Sequence, residues 1–179
     1  MRLIPPIEPN VSSSNWALSG DTRSPWNIRG LYESHDGEIY RFVLAEDANI
    51  AQYDVCAYAT NYGSATEADS GEVTNTTTSA IVSAGLHSGN APIVAGVAAG
   101  AITDGRRGFL QVSGVSYVNT TGPGAGDTAS LIAGDYLCAN DTPDGDAQIA
   151  VADEEAAVFA LAIAAEASDR TLCNLFRIL

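Results

Sequence analysis

The sequence predicts a mostly β protein, a compact β-barrel or β-sandwich module preceded by an extended N-terminal arm. Short runs of β-branched and aromatic residues recur along the chain, such as IYRFVL at 39–44 and IVAGVA at 93–98. Stretches rich in Gly, Ser, Thr and Asp separate them, which is turn and loop chemistry. One segment, 152–167, has a composition that competes for helix.

Residues 1–30 form the arm. Pro5, Pro6, Pro9 and Pro25 break any regular element, and Ser12–Asn15 is polar. Trp16 and Trp26 are the only tryptophans. Aromatic anchors on a low-entropy extended segment suit contact with another subunit. A strand or coil packed on its own domain is the plainer alternative. Residues 31–179 form a single β-rich domain.

Within that domain, 39–44 is the first strand and DVCAYAT at 54–60 alternates toward a second. Residues 61–90 read as a long loop or an edge meander. Residues 93–98 form a buried-type strand. DGRRG at 104–108 is a turn with two glycines available for positive φ. FLQV at 109–112 and VSYV at 115–118 are a strand pair, or one strand bent at Gly114. GPGAGD at 122–127 is loop, YLC at 136–138 a short strand, 141–146 an acidic turn, and 171–179 the closing strand. In 152–167, Asp153 can cap a helical turn at 153–157. The run VFALAIAAE at 158–166 is read as strand.

An internal echo supports that reading. IAQYDVCAYAT at 50–60 aligns without gaps to IAGDYLCANDT at 132–142, with five of eleven positions identical. VAAGA at 97–101 then matches IAAEA at 163–167. This suggests two related β units, 38–119 and 120–179, with Cys56 and Cys138 in equivalent buried positions.

Composition excludes more than it names. The 179 residues carry 22 acidic and 8 basic side chains, a formal net charge of −14. Every cation is an arginine. Nucleic-acid binding needs clustered cations to neutralise phosphates, and an anionic membrane surface needs the same. With 46% hydrophobic residues the chain is globular, not a disordered acidic tail. At this length it buries roughly 70% of its unfolded surface, so no staple is required. Prolines and a glutamate stand where a secretory apolar stretch would lie, so no signal peptide is expected. The longest apolar run, 156–165, is about half of the ~20 residues that a membrane span needs. Three scattered cysteines, Cys56, Cys138 and Cys173, form neither a disulfide framework nor a zinc motif and read as buried thiols. The Asn-x-Ser/Thr sequons at Asn10, Asn75, Asn119 and Asn140 are of the kind chance supplies in a Thr- and Ser-rich chain.

A search for chemistry finds little. His35 and His87 are the only neutral-pH bases and sit in polar turns without metal spacing. No nucleophile elbow or phosphate loop occurs, and without lysine there is no Schiff-base chemistry. The turn Asp141–Asp146 is the best calcium candidate but lacks the EF-hand spacing and its distal Glu, and it reads as a solvated acidic turn. No catalytic residue, cofactor or resident metal is expected. Arg106 and Arg107 are the only adjacent cations, read as a solvated turn end or as a contact with acidic groups on a partner. Arg23 and Arg29 lie on the arm beside Trp16 and Trp26.

The stretch GVAAGAITDGRRGFLQVSGV at 96–115 resembles the central signature of small capsid decoration (cement) proteins of tailed bacteriophages. AGDYL at 133–137, the alanine-rich 161–167 and the closing apolar strand follow in the order of that family. The arm and the Thr-rich 61–90 depart from its compact pattern. The resemblance implies a non-enzymatic β module bound in many copies to the outside of an icosahedral shell, often as a trimer. Its partners would be the major capsid protein and other copies of itself. It would be made in the host cytoplasm and reside on the capsid exterior. Trp16, Arg23, Trp26, Arg29, Arg106 and Arg107 are the candidate contact residues. Three other readings stand beside it: a tail, head-completion or fibre-attached component, a virion hydrolase built on carboxylates, and a glycan-binding attachment module.

Overall fold

The computed structural model describes residues 31–34, 36–46, 49–59, 71–75, 93–120, 131–139, 145–150, 158–176 and 178. The arm and the helical-turn option at 153–157 lie outside them. Ten strands follow in order: β1 (Leu31–Glu33), β2 (Ile39–Ala45), β3 (Val55–Tyr58), β4 (Glu72–Thr74), β5 (Val94–Ala98), β6 (Arg107–Asn119), β7 (Tyr136–Ala139), β8 (Ala147–Ile149), β9 (Ala160–Ala162) and β10 (Arg170–Leu175). No helix occurs among the described residues.

Strands β2, β4, β3, β5 and β6 are neighbours in that order, and β6 pairs back onto β2 to close a five-stranded barrel. Closure removes the exposed edges that an open sheet of this size would leave. Val43, Ala45, Ile50, Cys56, Val73, Ala95, Ala98, Ile102 and Leu110 fill the interior. Branched aliphatic residues alternate with alanine and cysteine there, and no aromatic ring is among them, as the narrow bore of a five-stranded barrel requires. Arg41 is also buried. Its guanidinium donates to the Tyr58 hydroxyl and to the carbonyls of Ala95 and Ile178, tying the chain after β10 to the barrel. Outside β2 and β6, Phe42 and Phe109 pack with ring centroids 4.9 Å apart, and Tyr32 from β1 meets Phe109 edge-on.

β6 is one continuous strand of 13 residues. Its first half pairs with β2, ending at Ile39↔Ser113, and its second half pairs with β10, beginning at Gly114↔Leu175. Gly114 stands at this changeover with φ of 98°, a conformation that side chains resist. The strand therefore leaves the barrel there and enters a second sheet, β6–β10–β9–β7–β8. That sheet lies on the outside of the barrel. Leu137, Ala160, Ala162, Cys173 and Leu175 from its inner face share one core with Val55, Val94 and Val97 of β3 and β5.

The sheet order reads β4-β3-β5-β6 and then β10-β9-β7-β8, the same unit twice in opposite sense. Local hydrogen bonds match across the two. The Asp54 carboxylate accepts from the Ala51 amide and the Asp135 carboxylate from the Ile132 amide, each at 2.8 Å. Tyr53 N donates to Ala98 O and Ala98 N to Asp54 O; Gly134 N donates to Ala162 O and Ala162 N to Asp135 O, all at 2.9 Å. Asp54 thus corresponds to Asp135 and Ala98 to Ala162, one and two positions away from the sequence match. The expected equivalence of Cys56 with Cys138 is corrected accordingly. Cys56 lies inside the barrel, and its counterpart Leu137 lies in the core between the sheets.

Two further expectations change. Residues 72–74 are not in a loop or edge meander: β4 lies between β2 and β3 in the barrel wall. It was illegible because a three-residue strand with one apolar residue, Val73, has no periodicity. The run at 158–166 is strand only over Ala160–Ala162.

Candidate interaction surface

Trp16, Arg23, Trp26 and Arg29 lie outside the described residues, as do His35 and His87. The arginine pair is split by its place in the fold. Arg106 is half-buried in the turn, whereas Arg107 is the first residue of β6 and only 4% exposed. Its register fixes this, since Arg107 pairs with Leu44, whose other neighbour is Glu72 of β4. Of the two, Arg106 is the one at the surface.

Asp54, just before β3, is the centre of a polar cluster. Its Oδ2 accepts from Ala51 N and from Asn75 Nδ2, both at 2.8 Å, and its Oδ1 accepts from Asn119 Nδ2 at 2.9 Å. Burial raises its pKa while these donors lower it. Asp146 stands nearby, after Gly145, whose carbonyl accepts from Val55 N. Its pKa is pushed up to about 6, first by burial and then by the charges of Asp54, Asp169 and Glu166. Asp141 and Asp144 of the acidic turn lie outside the described residues, and no group of three metal-ligating side chains occurs among those described.

Asp146 yields a pH prediction. Its folded-state pKa is above its ordinary value, so the folded chain binds this proton more tightly than the unfolded chain. The resulting stabilisation is full below about pH 4 and is lost as pH rises through about 6. Asp146→Asn removes the penalty paid at neutral pH. We expect the variant to be more stable than the parent by about 1 kcal/mol at pH 7, after allowing for solvent screening. The difference should vanish toward pH 4. Thermal melts of both proteins across that range measure it; a constant difference would contradict the assignment.

Cys56, Cys138 and Cys173 are free, buried thiols. Burial and the charge of Asp54 push the Cys56 thiol well up, and burial alone pushes Cys173 up to about 12.

Solvent-exposed apolar side chains gather on the outer face of the second sheet. Directly paired residues share a face, and the registers run Tyr136–Leu161–Asn174–Val115 across β7, β9, β10 and β6. In the next row Leu172 faces Tyr117, and the Ile163 amide donates to the Leu172 carbonyl. Tyr136 is 55% exposed, Val115 and Tyr117 46%, and Ile163 44%. Phe176 extends the patch, its ring centroid 6.3 Å from that of Tyr136. At the far rim Tyr53 packs against Tyr117, and the Arg170 guanidinium lies over the Tyr53 ring. Sequence reasoning missed this surface. The signal was present in VSYV and TLCNL, where apolar residues fall on both faces of a strand.

No helix among the described residues is long and apolar enough to cross a membrane. No protein-family model matches the chain, and no curated protein matches it. Among solved structures the chain is similar to the head fiber gp8.5 N base in bacteriophage phi29, at 15% sequence identity with a TM-score of 0.46, over 79% of this chain and 96% of that one.

Proposed function

We propose that the chain is a structural, non-enzymatic component of a tailed-phage particle. More narrowly, it decorates the outside of the icosahedral shell, in contact with the major capsid protein. The observation that carries this reading is where the decoration-family signature falls. Residues 96–115 span the end of β5, the following turn and most of β6, and two of their glycines sit where the fold turns on them. Gly96 lies where β5 packs tightly against β6, and Gly114 where β6 passes from barrel to second sheet. The stretch that carries the resemblance thus includes residues on which this fold depends.

The physical properties support the same role. A lysine-free chain of net charge −14 has little affinity for packaged DNA or for like-charged particles. Repeated docking on a lattice raises avidity without strong single contacts. The arm, with Trp16, Arg23, Trp26 and Arg29, and the surface Arg106 are the parts we assign to shell contact. Deleting residues 1–30 should abolish co-sedimentation with shells that lack the protein and leave the barrel's thermal transition in place. Undiminished shell binding by the truncated chain would overturn the assignment of the arm.

A further inference from the structure

The outer face of β7–β9–β10–β6 is a docking surface, and we infer that its occupant is a second copy of this chain. Three observations carry this, none of which depends on what the protein decorates.

The first is patterning. An antiparallel sheet with one solvated face alternates apolar and polar residues, whereas one covered on both faces is apolar throughout. Here Val118, Cys173 and Leu175 point into the core while Val115, Tyr117 and Leu172 point away from it. The strands are composed as though both faces were covered.

The second is the internal correspondence. Tyr136 and Leu161 occupy the places that Val55 and Val97 hold in the first unit, because Asp135 and Ala162 match Asp54 and Ala98. Val55 and Val97 are buried under the second sheet. Among the described residues, no strand covers the same face of the second unit.

The third is charge and area. Among 22 acidic residues, none falls on the outward positions of β6, β10, β9 and β7 described above. A strongly negative chain can meet its own copy with least repulsion through such a patch. The exposed apolar area is on the order of 600 Å², at the upper end for a monomer's largest patch. Two such faces bring the total to roughly 1,200 Å², where stable specific interfaces begin.

The test is sedimentation equilibrium of the full chain from low to high micromolar concentration. The expected result is a concentration-dependent mass at least twice that of the 18.5 kDa chain. Ile163→Glu and Asn174→Arg change exposed positions and leave the core intact, which their melting curves will check. Each buries an unpaired charge in the contact and should weaken association by about tenfold or more. A wild-type chain that stays monomeric throughout overturns the inference. So does association unaffected by either variant. A full chain that is monomeric but associates once residues 1–30 are removed would assign the face to the arm instead. Shell binding by the two variants is a separate readout, so failure here leaves the decoration role standing or falling by itself.

Discussion

Replacing Gly96 by alanine should cost about 3–5 kcal/mol, the sum of backbone strain and overpacking at a site that cannot relax. Gly96 has φ of 152°, which side chains rarely adopt. An added Cβ would lie 2.9 Å from the Gln111 carbonyl oxygen, 2.9 Å from Leu110 Cβ and 3.1 Å from Val112 Cγ1. The first of these is backbone of β6, held by its pairing with β5 and β2. Neither strand can retreat without opening the barrel. For a chain of this size each kcal/mol lowers Tm by about 2–4 °C, so Tm should fall by about 6–20 °C. Gly105→Ala is the matched control. Gly105 also has positive φ, 69°, but nothing lies within 4 Å of the added atom. It should cost only about 1–2 kcal/mol. Equal losses in the two variants would show that close packing at Gly96 is not what holds β5 to β6.

Asp54→Ala should destabilise by about 3 kcal/mol, because it removes three hydrogen bonds at about 1 kcal/mol each and leaves the Ala51 amide without its acceptor, while Asn119 and Asn75 keep only the carbonyls of Gln52 and Asn49. Ala51 N, Asn75 Nδ2 and Asn119 Nδ2 all end on this carboxylate. They tie the turn before β3 to the end of β4 and the end of β6. Its counterpart Asp135 is half-buried and receives the Ile132 amide in the equivalent turn. Asp135→Ala should cost about 1 kcal/mol, the value of one ordinary turn hydrogen bond. Chemical denaturation of both variants gives the comparison. The Asp54 variant carries a second signature. Removing its negative charge relieves one cause of the raised Asp146 pKa, so that value should fall toward the ordinary carboxylate range. Equal stability losses in the two aspartate variants, with Asp146 unmoved, would contradict the central place given to Asp54.

What the sequence revealed depends on how local each feature is. β2 and β5 are legible because buried, β-branched runs announce themselves over five or more residues. Gly114 inside a strand pattern correctly marks a bend. β4 and β8 are not legible, since strands of three residues carry no periodicity of their own and owe their conformation to the strands they pair with. Arg107 misleads for a related reason. A doublet of arginines after Asp-Gly reads as a solvated tip, yet one step along β6 places the second beside Leu44, under cover. The outer face of the second sheet is the opposite case. Its strands look doubly buried, and only the fold reveals that one side is open. The repeat is visible as chemistry, two Asp-closed turns feeding two strands, but its register is not. Sequence identity centred on the cysteines points one residue away from the hydrogen bonds that define the correspondence.

We propose that this barrel and its attached sheet serve as a structural piece on the outside of a phage shell. The most direct test is electron microscopy of the particle whose genome encodes the chain, with copy number measured on the same particles. The expected result is ordered β-barrel density on the outer shell surface, repeated with the icosahedral lattice in hundreds of copies. A dozen or fewer copies confined to the tail or portal, or a particle that lacks the chain altogether, would contradict it.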